Sequence, residues 1–177
     1  YKTDHTVFLK QWKFKKIILK NKKGEITNNF NFMEDITIEI FYTALEKILN
    51  PQFWVELDCS LGRVTKANMA VDGLSPDSII GNGSIKLILK SLKLSPQLYT
   101  LNVGLRDSRG EVIASTLNTV SGFEINSLKK SKFNKFELSE KFMGGTPIFL
   151  NYEWEYENKK HIPFWVDEEG NNKNNGW

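Results

Sequence analysis

The chain has 177 residues, 40% of them hydrophobic and 25% charged, with a formal net charge of +3. That length and apolar content suffice for one well-buried core and exclude wholesale disorder. The charge is small and the lysine clusters at 13–16, 20–23 and 128–135 are short, which argues against a nucleic-acid partner.

In chain order, a first strand leads into a turn, Asn-Lys-Lys-Gly-Glu, at 21–25. Residues 35–42 then alternate Ile36, Ile38, Ile40 and Tyr42 against Thr37, Glu39 and Phe41, the pattern of a half-buried strand. The segment 43–49 is the best helical candidate, and reads equally well as a strand running into a loop. After Asn50-Pro51, residues 53–59 send Phe53, Val55, Leu57 and Cys59 to one face as a core stripe. Trp54, Glu56 and Asp58 go to the other face, so the strand sets a large aromatic ring on its wet side beside two carboxylates. Cys59 is the sole cysteine, which rules out an internal disulfide and leans towards a reducing compartment; on the apolar face it reads as a small buried hydrophobe.

Further strands follow at 84–90, where Ile85, Leu87 and Leu89 alternate with lysines, and at 99–106. The latter places Tyr99, Leu101, Val103 and Leu105 opposite Thr100, Asn102, Gly104 and Arg106, and the Asp-Ser-Arg-Gly turn after it predicts a hairpin. Segments 131–140 and 144–157 read as two more strands around a Gly-Gly-Thr-Pro turn. In the second, Ile148, Leu150, Tyr152, Trp154 and Tyr156 make an apolar face that needs a partner. Residues 167–177 form an Asn-rich tail. Strands at intervals of roughly 8–12 residues, hairpin turns and no βαβ alternation predict an all-β antiparallel sandwich. The sandwich domain is expected over 1–157, with 125–157 as a candidate C-terminal arm and 158–177 as the tail. No window approaches the roughly 18 apolar residues of a membrane helix. A chain opening on Tyr1 rather than Met is expected to be a piece of a longer protein.

The search for catalytic chemistry returns no constellation. The two histidines, His5 and His161, lie near opposite ends, and no His- or Cys-based motif offers a metal site, so neither metal nor cofactor is expected. Glu56 and Asp58 sit two apart on one strand face, whereas a glycosidase sets its two carboxylates on opposite sides of the scissile bond. A tryptophan beside carboxylates suits sugars better, whose C–H faces stack on aromatic rings and whose hydroxyls need planar polar partners. The alternative is that Trp54 is covered by a loop, a neighbouring subunit or the C-terminal segment, the mark of a dimerisation module.

The order of these motifs resembles the C-terminal carbohydrate-binding domain of Wzt-type ATPase subunits, from ABC transporters that export O-antigen polysaccharide in Gram-negative bacteria. The resemblance runs from about Ile17 to Ile125. It rests on the strand and turn at 17–25, the strand at 30–44, and the Pro-containing strand, Gly-x-Val and Asn-bearing segment at 50–69. Most specific is 83–113: a leucine-rich strand, a Tyr-x-Leu-x-Val strand and an Asp-x-x-Gly turn, followed by a closing strand at 120–125. Gln97-Leu98-Tyr99 departs from the Gly-Tyr common at that place, and Trp154 is similar to the tryptophan that often ends the last strand. The resemblance implies an immunoglobulin-like β-sandwich, without catalysis or cofactor, that recognises the non-reducing end of the exported glycan on the cytoplasmic side of the inner membrane. It implies a homodimer, in some relatives with an exchanged C-terminal strand. It also implies an ATPase module on the same polypeptide and a membrane subunit as partner.

In such a sandwich, strands 53–59, 99–106 and 110–115 are expected to share one sheet. Trp54 would be the stacking platform, with Glu56, Asp58, Asn102 and Arg106 orienting sugar hydroxyls and Gly104 leaving room for ligand to reach the backbone. Arg106 reads equally well as a cross-strand ion-pair partner of Asp58 or Glu56. Phe41 is a weaker second aromatic, with cover by a loop as its alternative.

Overall fold

The computed structural model describes residues 6–8, 12–116, 121–126, 147–149, 154–156 and 159–161. Two β-sheets pack face to face. The smaller is antiparallel, with β4 (Ile36–Leu49) between β2 (Trp12–Lys20) and β7 (Ser78–Leu89). The larger is centred on β8 (Leu98–Arg106). On one edge β8 pairs with β5 (Gln52–Cys59), which in turn pairs with β6 (Gly62–Asn68). On the other edge β9 (Val112–Thr116) and β10 (Ser121–Ile125) lie end to end, flanked by β1 (Thr6–Phe8) and β3 (Asn29–Phe30). The β10–β3 contact is parallel, while the other pairings of this sheet are antiparallel. The segment 43–49, ambiguous in sequence, continues β4 as strand rather than helix.

The alternation in sequence explains the core. Ile36, Ile38, Ile40 and Tyr42 on β4 meet Phe53, Val55 and Leu57 on β5 and Tyr99, Leu101, Val103 and Leu105 on β8, all buried. At one end an aromatic cluster closes the sandwich: Trp12 stacks on Tyr42 with ring centroids 4.7 Å apart, and Phe53 approaches Trp12 at 5.8 Å. Cys59 is half-buried against the core, as its place on the apolar face predicts. A single helical turn, α1 (Met69–Asp72), follows β6; the Asn68 side chain accepts the Ala70 N–H at its start, and Gly73 ends it in the left-handed conformation that glycine adopts without strain.

Of the predicted C-terminal arm, Pro147–Phe149 runs beside Lys93–Ser95: Ser95 N–H donates to Pro147 O (3.0 Å) and Phe149 N–H to Lys93 O (2.9 Å). Trp154–Tyr156 and Lys159–His161 form a short antiparallel hairpin, β11 and β12. Leu150 and Tyr152, and the tail tryptophans Trp165 and Trp177, lie outside the described residues. The buried Tyr99 hydroxyl clamps the Pro147 segment, lying 2.9 Å from Ser95 O and 3.1 Å from Pro147 O while accepting from Gln97 Nε2. Burial raises its pKa, so it stays a donor at neutral pH.

On the outer face of the smaller sheet, Glu39 is buried beneath Lys20 (2.6 Å) and Lys86 (3.6 Å). The hydrogen bond from Lys20 holds its carboxyl below the usual carboxylate range.

Two outcomes are expected. Tyr99→Phe removes a shared hydrogen-bonding centre from a buried site and lowers stability by about 1–3 kcal/mol in urea unfolding. For Glu39, the folded-state pKa lies below the unfolded value, so its contribution is complete above the ordinary carboxylate range and is lost as pH falls through the folded value. The stability gap between wild type and Glu39→Gln should therefore shrink on acidification; a gap that is constant with pH would show that the ion pair contributes nothing.

Candidate functional site

Side chains of directly opposed residues in an antiparallel ladder share a face. β5 opposes β8 with Trp54 against Gly104, Glu56 against Asn102 and Asp58 against Thr100, while Gln52 faces Arg106. On the far side of β5, Asn68 stands opposite Trp54 and Lys66 opposite Glu56. Gly104 is flanked in turn by Ser115 of β9. The outer face of the larger sheet thus carries Trp54, Glu56, Asp58, Asn102 and Arg106 together with Arg63 and Lys66, which the sequence reading did not single out.

The geometry of these groups differs from an open aromatic platform. Trp54 points outward but is only 7% exposed. One face of its indole lies on the bare Cα of Gly104, where a Cβ would overlap the ring. Over the ring sit the Lys66 ammonium, 5.3 Å from its centroid, and the Arg106 guanidinium at 5.2 Å. Two expectations are corrected. The room over Gly104 is filled by Trp54 rather than left for a ligand, and the ring is lidded by two cations, because a π-face on a wet surface attracts the neighbouring positive charges.

The carboxylates are also engaged. Glu56 pairs with Arg63 Nη2 (2.7 Å) and Lys66 Nζ (3.0 Å). Asp58 accepts from Arg63 Nε (3.2 Å) and from Asn102 Nδ2 (2.6 Å). Arg63 bridges both acids because the β5–β6 ladder is irregular: Leu57 opposes Thr65 but Asp58 opposes Arg63, leaving Val64 as an extra residue on β6. The ion pair weighed for Arg106 with Asp58 or Glu56 therefore does not form. Arg106 stacks on Trp54 and donates from Nη1 to Gly110 O (3.2 Å). Three cations, Arg63, Lys66 and Arg106, surround two carboxylates, and Glu124 of β10 adds a third acid farther along the same face.

Phe41 is not part of this constellation. It belongs to β4, in the other sheet, where its ring lies under Lys16 at 4.6 Å. The reading that grouped it with Trp54 had no means of telling which sheet each strand would join. Arg63 and Lys66, three apart on the strand one tight turn after Asp58, read by strict alternation as facing opposite ways; the extra residue Val64 brings them to one face. Chemically, the face offers amide, carboxylate and guanidinium groups at hydrogen-bonding spacing around a tryptophan. Among the described residues no cluster of His, Cys, Asp and Glu is arranged to hold a metal ion.

Residues 9–135 match the family model described as the Wzt C-terminal domain. That span is well over half of the chain, and the chain belongs to this family. Among solved structures, a crystal structure of the C-terminal domain of Wzt aligns with a TM-score of 0.62 at 10% identity, covering 75% of this chain and 88% of that one. At that identity the likeness shows the fold. A Niemann-Pick type C2 protein from the Japanese carpenter ant aligns less well, with a TM-score of 0.48 at 13% identity over 68% of this chain and 99% of its own. No curated protein sequence matches.

Gly104→Ala should drive the Trp54 ring off the sheet. The expected result is a loss of about 1–3 kcal/mol in urea unfolding, with tryptophan emission shifted to the red in the still-folded protein. An unchanged spectrum and unchanged stability would contradict the ring-on-glycine packing.

Proposed function

We propose that this member of the Wzt C-terminal domain family is a non-catalytic carbohydrate-binding module. It would take the non-reducing end of an O-antigen-type polysaccharide on the outer face of the larger sheet, for export by an ABC transporter. The observation that carries this reading is the β5–β8 register, which brings Trp54, Glu56, Asp58, Asn102 and Arg106 onto one outward face. Arg106 and Lys66 ride on the ring with side chains long enough to swing aside, so a sugar reaches the indole by taking over their hydrogen bonds. Asn102 and Asp58, already joined at 2.6 Å, present a donor and an acceptor side by side for vicinal hydroxyls. Arg63 and Lys66 join the five residues named from sequence; Phe41 does not.

The same geometry supports binding without turnover. Glu56 and Asp58 leave one strand in the same direction and share Arg63, whereas hydrolysis needs an acid and a base flanking the bond. The reading extends to a cytoplasmic placement at the inner face of the inner membrane, an ATPase module on the same polypeptide, the transporter's membrane subunit, and a homodimer with or without exchange of the C-terminal strand.

The test is a titration of the purified chain with end-capped polysaccharide from its own source, followed by tryptophan fluorescence. Wild type should saturate. Arg106→Ala and Asn102→Ala should each bind roughly tenfold to a hundredfold more weakly, the equivalent of about 1.5–3 kcal/mol for a hydrogen bond involving a charge, while remaining folded at the titration temperature. Wild type that ignores its own glycan would sink the proposal and favour a dimerisation module, in which Trp54→Ala changes oligomeric state.

A further inference from the structure

The outer face of the smaller sheet has a chemistry that glycan recognition on the larger sheet leaves unused. Opposed residues in its two ladders place Lys13 beside Thr43 and Asn82, Lys16 beside Phe41 and Ser84, Ile18 beside Glu39 and Lys86, and Lys20 beside Thr37 and Ile88. Lys15 is the extra residue at the β2 irregularity and is exposed. Five lysines of these rows therefore stand against a single carboxylate, Glu39, while a sixth, Lys90, pairs with Asp35 (3.3 Å) where the β4–β7 ladder ends. Lys20 and Lys86 are drawn to Glu39, whereas Lys13 and Lys15 make no ion pair with any described residue. Lys16 rests on the Phe41 ring. The rows from Lys13 to Lys20 extend over roughly 23 Å at about 3.3 Å per residue. Between the ammonium groups lie Ile18, Phe41 and Ile88, the last 49% exposed.

We infer that this face docks on an anionic bilayer surface, through lysine contacts to lipid phosphates with Phe41 and Ile88 at the headgroup level. Complementary charge requires an anionic occupant. Every cation on the face is lysine, a hydrated point charge suited to a diffuse array of phosphates, with none of the arginines that read planar anions in bidentate fashion. Lysine is also depleted at protein–protein interfaces, which disfavours an acidic protein as the occupant. Apolar groups set among the lysines match the composition of surfaces that lie on membranes. The inference rests on the proposed function only in that a transporter subunit works beside a membrane. It gives Phe41, absent from the glycan face, a separate role.

The experiment is co-sedimentation of the purified chain, without glycan, with vesicles of phosphatidylcholine containing phosphatidylglycerol, against phosphatidylcholine alone. Binding is expected to the anionic vesicles only and to decline as salt is raised. The triple variant K13Q/K15Q/K16Q should bind roughly a hundredfold more weakly, from about fivefold per lysine, while keeping wild-type melting and its glycan titration. Absence of vesicle binding, equal binding to neutral vesicles, or an unaffected triple variant would each overturn the inference. Binding to soluble dextran sulfate but not to vesicles would also overturn it, and would point to an acidic macromolecule instead. Because no glycan is present, failure of the carbohydrate reading leaves this result standing, and the reverse also holds.

Discussion

The packing of the Trp54 indole onto the bare Cα of Gly104 is the contact on which the arrangement of the larger sheet turns. In this orientation the ring takes the space that a Cβ opposite it would need, and on β8 one outward-facing position, Gly104, has none. Sliding β5 by two residues keeps every side chain on its face but sets the ring against Asn102 or Arg106, where a Cβ stands in its way. The pair therefore selects one register among those the alternation permits. Asn102 is then opposite Glu56 and within reach of Asp58, and Arg106 is close enough to lie over the ring.

The two outer faces of the sandwich rest on separate antiparallel ladders and balance charge differently. On the larger sheet, Arg63, Lys66 and Asn102 hold Glu56 and Asp58, leaving Arg106 on the aromatic ring. Such a face is preorganised: its polar groups already have partners at hydrogen-bonding distance and exchange them for a ligand's without first being desolvated alone. On the smaller sheet, Glu39 answers Lys20 and Lys86, Asp35 answers Lys90, and Lys13, Lys15 and Lys16 form no ion pair among the described residues. The first face suits a neutral, hydroxyl-rich partner recognised group by group, the second a partner recognised by the density of its negative charge.

Tyr99 links these surfaces to the far end of the chain. Its ring is part of the core, stacked on Phe123 at 5.5 Å, while its hydroxyl holds Pro147 across a sequence separation of 48 residues. Phe149 then meets Phe32 edge to face at 5.2 Å. A residue that reads in sequence as one more inward-facing aromatic thus anchors the C-terminal segment, and the polar Ser95 and Gln97 before it exist to satisfy that buried hydroxyl.

Much of the fold was legible because strand faces are set by local alternation. Ile36, Ile38 and Ile40, or Tyr99, Leu101 and Val103, declare their side of the sheet from a few neighbours, and the Asp107–Gly110 turn declares a hairpin. The order of those motifs was enough to indicate the family. Three features depended on contacts between residues far apart in the chain. Phe41 and Trp54 both read as outward aromatics, yet they went to opposite sheets, because sheet membership is decided by pairing rather than by pattern. Trp54 read as exposed, yet Gly104, Lys66 and Arg106 enclose it, because a register 50 residues long in sequence brings them there. Arg63 and Lys66 were passed over because one extra residue, Val64, shifts their ladder. The sequence by itself determined which side chains face in and which face out; the tertiary structure alone decided which outward side chains meet, since that depends on register and sheet assignment, neither of which a local pattern encodes.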